Sequence, residues 1–145
     1  MVYTQRQHLK YTAPQLFDLV ADVGRYPEFL PWVIEARVRR RIDHTVLVDM
    51  TMGVGALRRR FSTVAVLHRP HRIDISSGDP LFRRFEQRWT FEPAVEGGTD
   101  VEYRVDFQFR SRRLQLLIAA SLAERVRLGM VAFERQARRV YGGQS

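Results

Sequence analysis

The 145 residues predict an α+β fold in which an antiparallel sheet grips a long C-terminal helix. Between Trp32 and Phe109 the apolar residues recur with a period of two, the mark of half-buried antiparallel strands. From Ser111 to Tyr141 the period changes to 3.6, the mark of an amphipathic helix. Strands with one apolar side need a cover, and only this last segment, roughly 45 Å long as a helix, is long enough to supply it.

The elements follow in order. Val2 to Leu9 alternates enough for an edge strand. Thr12 can cap a short helix running to Ala21, with Pro14 in its first turn and Leu16, Phe17, Val20 and Ala21 on its apolar face. Gly24, Pro27 and Pro31 limit Asp22 to Pro31 to a short second helix and a break. Trp32 to Ile42 and Thr45 to Met52 are expected strands joined at Asp43-His44. In the second of these, Val46, Val48, Met50 and Met52 share one face. Gly53-Val-Gly55 is expected to form the next turn, Leu57 to His68 a third long strand, and Ile73 to Ser77 a short one beyond Pro70. Phe85, Trp89 and Phe91 alternate with Glu86, Arg88 and Thr90. The clearest strand follows Gly97-Gly98: Val101, Tyr103, Val105, Phe107 and Phe109 point one way, with polar residues between them. One unbroken helix is then expected from Ser111 to Tyr141, its stripe including Leu114, Leu117/Ile118, Val126, Met130 and Phe133, with Gly142-Gly143 ending it.

The length suits a single domain with one substantial core, spanning residues 1–145. There are no cysteines, which excludes disulfides, thiolate metal sites and a cysteine nucleophile. No secretory or transit segment is visible, and the longest apolar stretch, Leu114 to Ala123, is about half a bilayer crossing. A cytoplasmic protein is expected, with any membrane contact at its surface. Lys10 is the only lysine, so the net charge of +8 is nearly all arginine. Arginine pairs with phosphate in bidentate fashion, which suits anionic lipid or RNA as well as a solvated surface.

Enzymatic constellations are sparse. His68 and His71 flank Pro70 in a turn with no third ligand nearby, so no metal site is expected. Gly53-Val-Gly55 lacks the third glycine and the helix of a phosphate loop, and there is no G-x-S-x-G. Asp22, Glu28 and Glu35 have no spacing that fixes an acid/base pair. Basic residues cluster at Arg37/Arg39/Arg40/Arg41, at Arg58, Arg59 and Arg60, at Arg83 and Arg84, and at Arg110, Arg112 and Arg113. Several lie near strand ends, where they could gather on one rim facing phospholipid or ribosomal RNA. Tyr26, Phe29 and Trp32 crowd one short proline-broken stretch, and Phe61, Trp89, Phe107, Phe109 and Phe133 face the interior. Core packing and a ligand pocket would use these same aromatics.

Asp22-Val-Gly-Arg-Tyr-Pro-Glu-Phe-Leu-Pro-Trp32 resembles the D-V-x-x-Y-x-x-F-L-P-W signature of the coenzyme Q-binding START-domain family, within the wider polyketide cyclase/lipid-transport superfamily. Asp106 to Gln115 is similar to that family's junction between last strand and helix. Val33 stands where many members have cysteine. The resemblance implies a START-like, helix-grip fold whose curved sheet surrounds the long helix. It also implies a cavity for a polyprenyl quinone such as ubiquinone or another isoprenoid lipid, held to support respiratory electron transfer and without a catalytic cofactor. Expected wall residues are Tyr26, Phe29, Leu30, Pro31, Trp32 and Met50, joined by Phe61, Trp89, Phe107, Leu117, Met130 and Phe133. The family also includes bacterial ribosome-association toxins, which would employ the basic surface. A cyclase-like enzyme is the remaining alternative, and no polar catalytic set stands out for it.

Overall fold

The computed structural model describes residues 1–142. Strand β1 (Val2–Leu9) leads to helix α1 (Ala13–Ala21) and a 3-10 turn (Val23–Glu28). Strands β2 (Val33–Ile42), β3 (Thr45–Val54), β4 (Leu57–His68), β5 (Arg72–Ser76), β6 (Phe82–Pro93) and β7 (Thr99–Phe109) follow. Helices α2 (Arg112–Ala119) and α3 (Leu122–Tyr141) end the chain. All seven strands form one open antiparallel sheet in the order β1-β7-β6-β5-β4-β3-β2, so β1 and β2 are its edges.

Local chemistry explains the boundaries. Thr12 caps α1 in a reciprocal box: its hydroxyl accepts from the Gln15 N–H, and the Gln15 amide oxygen accepts from the Thr12 N–H. The expected turn at Gly53-Val-Gly55 moves by two residues. Strand β3 runs on through Val54, and Gly55, at φ +60°, turns the chain with Ala56. Gly53 stays in the strand because Ile34 of β2 crosses it; a Cβ there would meet Ile34 Cδ1 at 2.8 Å.

The single C-terminal helix is a correction. Ser121 leaves helical geometry at φ −121° and ψ 9°, its N–H bonds back to Ile118 at 3.1 Å, and α2 is divided from α3 there. The Arg125 guanidinium donates to the Ser121 hydroxyl at 3.0 Å and holds the break. Periodicity does not reveal it, since Ile118, Leu122 and Val126 remain in phase on either side. Helix α3 packs along the sheet through Met130, Phe133 and Ala137, while α2 sets Ile118 against Val105 and Phe107 of β7. Gly142 caps it at φ +84°, and Gly143 lies outside the described residues.

Candidate functional site: an aromatic cavity between sheet and helix

A cavity of about 250 Å³ lies between the inner face of the sheet and α3. The alternation seen in the strands builds its floor, from Met50, Phe61, Trp89 and Phe107. Helix α3 supplies the roof with Leu122, Val126, Met130 and Phe133, while Tyr26, Leu30 and Trp32 close one side. Phe133 is the hub: its ring centroid lies 5.4 Å from Tyr26, 5.2 Å from Phe29 and 5.2 Å from Trp89, each nearly edge-on. Trp32 lies against α3 at Gly129, where a Cβ would sit in contact with the ring, 3.4 Å from Trp32 Cζ2. Val33 is buried in the same wall.

Nine of the twelve expected residues therefore line this space: Tyr26, Leu30, Trp32, Met50, Phe61, Trp89, Phe107, Met130 and Phe133. Three do not. Phe29 packs behind the wall, against Tyr26 and Phe133, and borders a separate cavity of about 150 Å³ with Asp18, Asp22, Arg25 and Gln136. Pro31 faces solvent. Leu117 points out of α2 at 47% exposure, because Leu114 and Ile118 take the inward positions of that helix.

Sequence reasoning missed the polar groups of the wall. Gln87 and Thr63 occupy inward positions of β6 and β4, and that departure from the apolar alternation was the available signal. The Gln87 side-chain amide donates to the Tyr103 hydroxyl at 2.6 Å. The pair holds more N–H and O–H donors than this bond uses, whichever way the amide is set, so a donor remains for an oxygen in the cavity. Burial pushes the Tyr26 phenol far up, helped by Tyr103 and Asp22; burial also raises Tyr103, against a smaller lowering by Gln87. Both are partly exposed by surface area, but that surface faces the cavity. The Tyr26 hydroxyl donates to the Val20 carbonyl. Both phenols stay protonated near neutrality and act as donors, not bases. Arg59 and Arg125 are the charged residues of the wall.

The arginine clusters separate in space. Strand pairing brings the starts of β4 and β6 and the end of β7 to one end of the sheet, together with α2. Arg58, Arg59 and Arg60, Arg83 and Arg84, and Arg110, Arg112 and Arg113 thus collect there. Arg60 pairs with Asp49 at 3.5 Å and Arg84 with Asp106 at 3.1 Å; the others have no carboxylate partner among the described residues. Arg37 to Arg41 lie on the edge strand β2, running toward the opposite end. His68 and His71 are exposed, and among the described residues no three His, Asp or Glu side chains form a metal-binding group. No helix among them is long and apolar enough to cross a membrane.

Comparison with known proteins identifies the architecture. The sequence pattern described as "Polyketide cyclase / dehydrase and lipid transport" matches residues 9–134. The chain belongs to this family. Its relatives include the ribosome association toxin RatA of Vibrio cholerae, 31% identical over 92% of this chain and 93% of that protein. A mitochondrial coenzyme Q-binding protein homolog of Xenopus laevis is 28% identical over 98% of this chain and 60% of that protein. Among solved structures, a START superfamily protein from Mycobacterium smegmatis superposes with a TM-score of 0.78 at 14% identity, covering 96% of this chain and 98% of that one. The Zhui aromatase/cyclase from Streptomyces superposes with a TM-score of 0.85 at 15% identity, covering 99% of each. These two share the helix-grip fold, and their likeness carries the fold alone. The expected family and fold are thereby shown.

Proposed function

We propose that this member of the lipid-transport family binds a polyprenyl quinone in the cavity and carries it in support of respiratory electron transfer, without transforming it. The observation that carries the proposal is the apolar space between sheet and α3, edged by Tyr26, Trp32, Trp89 and Phe133. A quinone ring suits such a wall, and its carbonyl oxygens suit the spare donor of the Gln87–Tyr103 pair. At about 250 Å³ the space is just under the range of about 300–1,000 Å³ usual for ligand pockets. It therefore encloses the ring and the nearest part of the tail, while the remainder of the tail emerges. The relative named as a coenzyme Q-binding protein supports this ligand class. Binding is favoured over cyclase chemistry because the wall is mostly apolar and its phenols are held protonated.

The chain has two tryptophans, Trp32 and Trp89, and both line the cavity. A short-tailed ubiquinone analogue should quench their fluorescence to saturation, and lipid extracted from gently purified protein should contain quinone by mass spectrometry. Absence of both ends the proposal. A second function has its own support in the ribosome-association relatives and in the carboxylate-free arginines at one end of the sheet. It requires co-sedimentation with a ribosomal subunit and reduced subunit joining.

A further inference from the structure

We infer that the end of the molecule capped by α2 is a docking surface for an anionic lipid bilayer. Leu116 and Leu117 stand in solvent on the outer side of α2, 71% and 47% exposed. On the inner side of the same helix, Leu114 and Ile118 form part of the cavity wall. A bilayer receiving the two leucines therefore lies about one helix width, ~10 Å, from the cavity.

The surroundings of these leucines name the partner. Arg58, Arg59, Arg83, Arg110, Arg112 and Arg113 are all exposed at this end of the sheet, and none meets a carboxylate among the described residues. Elsewhere on the outer face several arginines are matched, since Arg72 and Arg88 share Asp74 at 2.9 and 2.7 Å and Arg6 meets Glu102 at 2.7 Å, while Arg37 and Arg104 stand singly without a carboxylate partner among the described residues. Unmatched guanidinium groups around exposed leucines form an amphipathic surface for the headgroup boundary, where phosphates meet the arginines and acyl chains meet the leucines. A phosphate backbone alone would engage the arginines but gains nothing from two leucines held in water, so a bilayer is favoured over RNA. The break at Ser121 separates α2 from α3, so α2 can seat on a membrane without carrying the roof of the cavity with it. Loading of ligand through this face rests on the cavity function proposed above; the docking itself does not.

The test is co-sedimentation of the full chain with phosphatidylcholine vesicles, with and without phosphatidylglycerol. The wild type should pellet with the anionic vesicles at low salt and weaken more than about tenfold at physiological salt, where screening shortens to about 8 Å. Leu116→Ser/Leu117→Ser should weaken binding about tenfold, and Arg112→Gln/Arg113→Gln roughly thirtyfold with a shallower salt dependence. Val95→Ser, in the exposed β6–β7 turn at the opposite end of the sheet, should change nothing. All the altered side chains are exposed, and unchanged melting temperatures will show that the variants fold. A wild type that stays in the supernatant with anionic vesicles at low salt overturns the inference. So does a leucine variant that binds vesicles like the wild type, including one that instead loses ribosome binding. Quenching by the quinone analogue in solution should be equal in all four proteins; its absence from the wild type would overturn the cavity function and leave the docking result standing.

Discussion

Trp89 and Phe91 sit two residues apart on the inner face of β6, their rings stacked at 6.2 Å and 4°, yet they belong to different halves of the interior. Phe91 is wholly buried in the solid half, where Phe17 of α1 meets it edge-on at 5.8 Å. Around it the chain is tied by polar bonds. The Thr99 hydroxyl donates to the Tyr11 carbonyl at 2.7 Å, the Tyr11 hydroxyl to the Gly142 carbonyl at 3.0 Å, and the Tyr141 hydroxyl to the Gln15 carbonyl at 2.9 Å. Trp89 belongs to the hollow half, where α1 contributes only Val20 and Ala21 to the wall and the cover comes from α3, with Leu114 and Ile118 of α2. Residue type does not distinguish the halves. The plug supplied by α1 does.

Mutations should separate them. Phe17→Ala should cost about 3–5 kcal/mol, the penalty of a large cavity in a filled core, with quinone-analogue affinity per folded molecule unchanged. Calorimetry beside fluorescence titration measures both. Lost affinity in a folded Phe17→Ala protein would merge the two halves into one.

Alkaline titration probes the hollow half next. The folded pKa of Tyr26 and of Tyr103 is raised above its ordinary value of 10.0. Below pH 10 both states hold the protons and stability is at its full value; above it the unfolded chain releases them while the folded chain keeps them. Stability should therefore fall as pH rises through 10 and beyond, by up to about 1.4 kcal/mol per pH unit for each phenol. Tyr103→Phe should make that fall shallower in alkaline denaturant melts. An unchanged slope would mean that the phenol is not shielded by the cavity.

Trp32→Ala should be milder in stability than Phe17→Ala, about 2 kcal/mol for a half-buried ring, and harsher in binding. Unchanged quinone affinity in the folded variant would remove Trp32 from the wall. Smallest is Gly129→Ala. It should stabilise α3 by up to about 1 kcal/mol, since the new methyl only touches Trp32 at 3.4 Å. A lowered melting temperature would show that Trp32 has no room to give way.

Much of the site was legible from period and motif. Tyr26, Leu30 and Trp32 came from the aromatic-proline stretch, and Met50, Phe61, Trp89 and Phe107 from the alternation of strands. Leu117 was misplaced because a helical stripe is broad and its neighbour Ile118 could claim the same side. Gln87 and Thr63 escaped notice because one polar residue on an apolar face looks like an irregularity until Tyr103 is seen beside it. The break at Ser121 left no trace, since the apolar stripe stays in phase across it.

By itself the sequence determined which residues face inward, where the chain turns and that one C-terminal segment must cover the sheet. Those are local consequences of side-chain period, capping and turn chemistry. Whether the inward aromatics would fill a core or enclose a space was decided only in three dimensions. The reach of α1 over the sheet sets where the filled core gives way to the cavity, to whose wall α1 adds only Val20 and Ala21. The gathering of three distant arginine clusters at one end was likewise a matter of strand order. Volumes and charge fields depend on what lies opposite a residue, and in this fold that neighbour is often dozens of positions away in the chain.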